Sequence, residues 1–135
     1  MKLYCLDDFK QEVLRFKKFN SYSHAERVII EYFFDKGIQD INNGVRLNGA
    51  DENPYIKKRL EGSGGFRFYF YLVIKNDCAY LMYAHPKTGP LGVENISPTE
   101  IKRLYKGVLA AIKEDNLYEV STDSTKTKLL FNKKS

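Results

Sequence analysis

Cations and aromatic rings crowd into one stretch of this chain. Lys57, Lys58, Arg59 and Arg67 flank a glycine-rich segment, Gly62 to Gly65, and His85 and Lys87 follow further on. Tyr69, Tyr71 and Tyr83 are interleaved with them. Such a set suits a polyanion: guanidinium and ammonium groups hold phosphates, flat rings stack on bases, and an imidazole moves protons near neutral pH. The plain alternative is a solvated sheet face whose long side chains cover apolar neighbours with their aliphatic stems. The other chemistry-bearing residues read more simply. His24 sits inside an S-x-x-E capping pattern as a solvated helix residue, and Cys5 and Cys78 read as core thiols. Gly62 to Gly65 joins two strands instead of opening a helix, so it is no nucleotide loop. Two Cys and two His, far apart, make no zinc site, and no metal is expected.

The charge is placed to match. The formal net charge is +5, but residues 1–52 carry a net −1 and residues 97–120 are neutral, while residues 53–96 and the last fifteen each carry +3. Positive charge in the middle and at the tail suits a polyanion or an acidic protein segment as partner. With 135 residues, 43% of them apolar, the chain has the size of one domain with one core, and it is too apolar to be disordered. No apolar run approaches the roughly 20 residues of a membrane span. Asp7, Asp8 and Lys10 interrupt any leader-like region, so a cytoplasmic location is expected.

The elements that must hold these residues follow from periodicity. Lys2 to Leu6 reads as an opening strand. A helix follows from about Asp8, with Phe9, Val13, Leu14 and Phe16 on its apolar side and Asn20 and Ser21 ending it. Ser23 and Glu26 form a capping-box pair ahead of a second helix carrying Ala25, Val28, Ile29, Tyr32 and Phe33, with Gly37 placed to stop it; the two helices make an antiparallel hairpin. Residues 42–54 are loop. From Tyr55 to Leu60 the period becomes two, with Tyr55, Lys57 and Arg59 facing one way, and Gly62 to Gly65 makes a tight connection. Phe66 to Lys75 is the clearest strand: Phe66, Phe68, Phe70, Leu72 and Ile74 form one apolar face, and Arg67, Tyr69 and Tyr71 the other. Asn76-Asp77 turns into a strand from Ala79 to Ala84, and a loop of two prolines and two glycines follows. Ser97-Pro98-Thr99-Glu100 opens a last helix with Ile101, Leu104, Tyr105, Val108, Leu109 and Ile112 as its stripe. Leu117 to Val120 adds a short strand. The order β-α-α-β-β-β-α is an α+β domain, an antiparallel sheet with helices packed on it, over residues 1–120. Residues 121–135, with Lys126, Lys128, Lys133 and Lys134, read as a basic, flexible, solubilising tail.

Three segments in this order, Y-I-K-K-R-L-E-G-S-G-G-F-R-F-Y-F, then Y-L-M-Y-A-H-P-K, then N-I-S-P-T-E-I-K-R-L, resemble the RelE/ParE toxin superfamily, nearest its RelE/HigB-type mRNA interferase branch. The resemblance covers about residues 55–112. It implies a RelE-like fold and a bacterial toxin of a type II toxin–antitoxin system, whose partners are a cognate antitoxin, mRNA and the ribosome. The implied activity is a ribosome-dependent endoribonuclease that needs neither metal nor small-molecule cofactor, because the RNA's own 2′-hydroxyl attacks the adjacent phosphate. Arg67 would then stabilise the transition state. Lys57 and Arg59 would hold the RNA backbone, Lys87 would supply a second cation, and His85 an acid/base group. Lys58, Tyr69, Tyr71 and Tyr83 would complete the RNA surface. Two alternatives share these residues: a ParE-type toxin that binds gyrase without cutting RNA, and a non-catalytic RNA-binding domain.

Overall fold

A computed structural model describes residues 1–60 and 65–134 of the chain. Strand β1 (Lys2–Cys5) leads into α1 (Asp7–Phe16), α2 (Ala25–Phe33) and a single-turn α3 (Ile38–Ile41). A two-residue edge strand β2 (Val45–Arg46), β3 (Tyr55–Leu60), β4 (Phe66–Val73) and β5 (Cys78–Pro86) follow, then α4 (Pro98–Glu114), β6 (Tyr118–Thr122) and β7 (Leu129–Lys133). The fold is α+β: a seven-stranded, mostly antiparallel open sheet, in the order β2-β3-β4-β5-β1-β6-β7, with four α-helices among the described residues. The expectation of a purely antiparallel sheet is corrected at one place. β1 runs parallel to β5, in register from Lys2 against Cys78 to Cys5 against Leu81. Parallel pairing needs a long crossover, and the whole run from α1 to β4 supplies it.

The alternation of β4 sets the two layers. It is buried on both faces. Its phenylalanines face the α1–α2 side, where Phe9 lies against Phe68, Phe16 against Phe66 and Phe33 against Phe70, at ring-centroid separations of 6.5, 5.5 and 5.2 Å. Its tyrosines face α4, in a second cluster with Tyr4, Tyr55, Tyr80, Met82, Leu104 and Val108. The plain rings pack against other rings, while a hydroxyl-bearing ring on the α4 side reaches a polar partner: the Tyr55 hydroxyl donates to the Ile101 carbonyl at 3.0 Å.

Several local expectations change. α2 begins behind His24 with no side-chain cap, so the Ser23–Glu26 box does not form. The Glu26 carboxylate instead accepts the Leu129 N–H at 2.8 Å and pairs with Lys17 at 3.4 Å. α2 ends at Phe33, ahead of Asp35 in the left-handed region at φ +58°, and Gly37 precedes α3 instead of closing α2. Leu14 and Leu109, assigned to apolar stripes, are exposed. At α4 the expected cap is present: Ser97 accepts the Glu100 N–H at 3.1 Å.

Residues 121–135 are not a loose tail as far as they are described. β7 pairs with β6 from Tyr118 against Lys133 to Thr122 against Leu129, and Leu129 is buried. Lys126 pairs with Asp35 and Lys134 with Asp115, each at 2.7 Å, while Lys133 hydrogen-bonds Asn116 and lies over the Tyr118 ring. Of the proposed Gly62–Gly65 connection, residues 62–64 lie outside the described residues. No helix among the described residues is long and apolar enough to cross a membrane.

Candidate nucleic-acid interface

Register brings the basic residues together. Arg59 on β3 stands opposite Arg67 on β4, which stands opposite His85 on β5, one row across three strands. The next row on the same face is Lys57, Tyr69 and Tyr83. A register shift between Tyr69 and Phe70 lets Tyr83 face Tyr69 while Leu81 faces Phe70, so β5 carries one extra residue, Met82, at a bulge. Two residues of separation on a strand return to the same face, which is why period-two spacing in β3 and β4 yields a patch.

Burial grades sharply across that patch. Arg59 is exposed, and Lys57, Tyr83 and Lys87 are half-buried. Arg67 is only 6% exposed and His85 2%. The Nη1 atom of Arg67 is buried with no hydrogen-bond partner among the described residues. Gly65, at φ +70°, brings its backbone so near that a Cβ there would lie 3.4 Å from that nitrogen. Burial first, and then the neighbouring Arg59, holds the Arg67 guanidinium below its ordinary pKa. A buried cation facing a second cation, with a bare donor, lacks an anion.

His85 is held at both nitrogens. Nδ1 lies 3.2 Å from the Pro86 carbonyl oxygen, and Nε2 lies 3.1 Å from the Tyr69 hydroxyl. The two rings stack at 5.7 Å and 28°. Burial pushes the imidazole pKa below its ordinary 6.5, with Lys57 and Arg67 adding to that push and the Pro86 and Val93 backbone opposing it. His85 is therefore neutral at pH 7, and it suits the role of proton acceptor better than that of a ready acid.

The other sequence candidates divide. Lys57 donates to the Asn95 side chain at 3.0 Å. Tyr83 donates to Glu12 at 3.2 Å, and that carboxylate also takes Arg15. Lys87 is placed by its backbone, whose N–H donates to the Gly65 carbonyl at 3.1 Å. Lys58 does not join the patch. It lies on the opposite face, against Asn43 at 2.8 Å and over the Tyr32 ring. Tyr69 and Tyr71 are 1% and 5% exposed, with Tyr71 edge-on to Tyr105 of α4 at 5.7 Å. The expectation that their rings stack on bases is corrected: α4 and His85 already occupy them.

One contact that sequence reasoning missed fixes the loop after His85. The Tyr22 hydroxyl, between α1 and α2, donates to the Thr88 carbonyl at 2.8 Å and accepts the Leu91 N–H at 2.9 Å. Gly89 between them adopts φ +83°, and a Cβ there would come within 2.7 Å of that hydroxyl. Glycine between two prolines was the available hint of a close approach. Set against known proteins, the chain matches no family model, no curated protein and no solved structure.

Proposed function

We propose that this chain is a metal-independent endoribonuclease of the toxin class, RelE-like in the order of its elements. On this proposal it cuts mRNA on the ribosome and is restrained by a cognate antitoxin laid over its basic face. The observation that carries the proposal is the Arg59–Arg67–His85 row with the bare, buried Nη1 of Arg67. A phosphodiester is the ligand whose oxygens satisfy such a donor and whose charge relieves the repulsion between the two arginines.

The chemistry asks little of the protein beyond placement and charge. The 2′-oxygen bonds to phosphorus as its proton leaves to a base, the bond to the 5′-oxygen breaks, and that oxygen takes up a proton. The products are a cyclic phosphate and a 5′-hydroxyl end. Arg67 and Arg59 hold the phosphate and offset the charge that builds on its oxygens. Lys57 exchanges Asn95 for an adjacent phosphate, Lys87 adds charge at the rim, and neutral His85 serves as the proton acceptor. The half-buried Tyr83 is the one tyrosine of the patch left partly open to RNA.

The test is induction in cells with primer extension on an abundant translated mRNA. New 5′ ends confined to translated regions, and lost with Arg67→Ala while the variant stays folded and binds its antitoxin, are the expected outcome. Growth arrest with intact mRNA would replace this proposal with a gyrase-type protein target. Absence of both arrest and cleavage would leave a non-catalytic RNA-binding domain.

A further inference from the structure

We infer that Tyr69 is a positioning residue that acts through His85, fixing which imidazole nitrogen is free to accept a proton. The inference rests on the nuclease proposal and concerns the same site. Its basis is donor and acceptor arithmetic. The Pro86 carbonyl can only accept, so the Nδ1 it faces at 3.2 Å carries the ring's proton. Nε2 is then bare, and the Tyr69 hydroxyl 3.1 Å away must donate to it. The Tyr69 and His85 rings stack at 5.7 Å and 28°, and a ring turned over would put carbon atoms in place of both nitrogens and lose both contacts.

Tyr69 stands apart from the equally buried tyrosines. Tyr22 and Tyr55 give their hydroxyl protons to backbone carbonyls, at 2.8 and 3.0 Å. Tyr69 gives its proton to a group that titrates, in the row beside Arg67. The charged and titratable groups around His85 agree on a neutral ring: Lys57 from β3 and Arg67 from β4 oppose a positive charge there. Tyr83 packs on its other side with ring centroids 6.2 Å apart, and Tyr69 keeps its own proton, its pKa pushed up to about 12 by burial. His85 is thus presented to the phosphate site with Nε2 as the accepting atom, and the Tyr69 hydroxyl holds that place until substrate arrives.

The experiment uses the full chain with ¹⁵N-labelled histidine and an RNA oligonucleotide substrate on ribosomes. The expected wild-type spectrum shows His85 protonated at Nδ1 and bare at Nε2. Tyr69→Phe keeps the ring and removes the donor. It should shift the Nε2 resonance, lower kcat by roughly tenfold with KM unmoved, and displace the acid limb of the pH profile. Should the phenylalanine variant unfold, 3-fluorotyrosine at position 69 keeps the hydroxyl and makes it more acidic, and the same pH limb should move. A wild-type ring protonated at Nε2 overturns the inference. So does a Tyr69→Phe chain that cuts as fast as wild type, or a fluorotyrosine chain with an unchanged profile. A wild-type chain that cuts no RNA, with the Nδ1–H tautomer in place, overturns the nuclease proposal and the role built on it together.

Discussion

Arg67 is placed at a cost to the fold. Its guanidinium sits 6% exposed beside Arg59, and one of its nitrogens has no partner among the described residues. Replacing a buried, poorly compensated charge by an apolar side chain of similar length removes a desolvation penalty. Arg67→Met is therefore expected to unfold no more easily than wild type, and to gain about 1 kcal/mol in urea titration. The same change should abolish stabilisation by anions. Wild-type Tm should climb with added inorganic phosphate or a short oligonucleotide, as linkage to a ligand of the folded state requires, and the variant's Tm should stay flat. A variant that loses stability in the absence of anion would mean that Arg67 is a structural cation with partners of its own.

At the scale of elements, the loop after β5 is fixed from a distance by the Tyr22 hydroxyl, which satisfies one backbone acceptor and one donor. Tyr22→Phe keeps the ring among Phe16, Phe19 and Phe66 and leaves the Thr88 carbonyl and the Leu91 N–H unpaired. The expected loss is about 1–2 kcal/mol, with faster amide exchange at Leu91 as the local sign. Contacts of this kind explain what could and could not be seen beforehand. Lys57, Arg59 and Arg67 were legible as one cluster because strand periodicity is a local fact. The helix boundary at Ser97-Pro98 was legible for the same reason. The row with His85 was not legible: pairing register is not local, and His85, read as the start of a loop, lies on β5. The burial of Tyr69 and Tyr71 was not, because it depends on where α4 docks, and an alternating Phe/Tyr strand fits one covered face as well as two. Glu26 looked like a cap because its spacing is right. Its carboxylate was taken by a strand more than a hundred positions away, a competition that no window of sequence contains.

For the molecule as a whole, β6 and β7 extend the sheet on the far side of β1 from the basic patch. Leu129 on β7 is 4% exposed and belongs to the same core as Phe68 and Phe70. Leu129→Ala is expected to cost about 2–4 kcal/mol by urea unfolding, whereas the same change in a loose tail would cost nothing. β7 would then be a required edge of the fold. The placement of β1 has a consequence in time. Residues 2–5 leave the ribosome well before their neighbours in the sheet, residues 78–81 and 118–119. Pairing across such a separation is slow and comes late. The β4–β5 hairpin that aligns Arg67 with His85 can close earlier, but the sheet stays open along the far edge of β5 until β1 has paired there. The row of Arg59, Arg67 and His85 is thus in register before the strand that flanks it on the β1 side is in place.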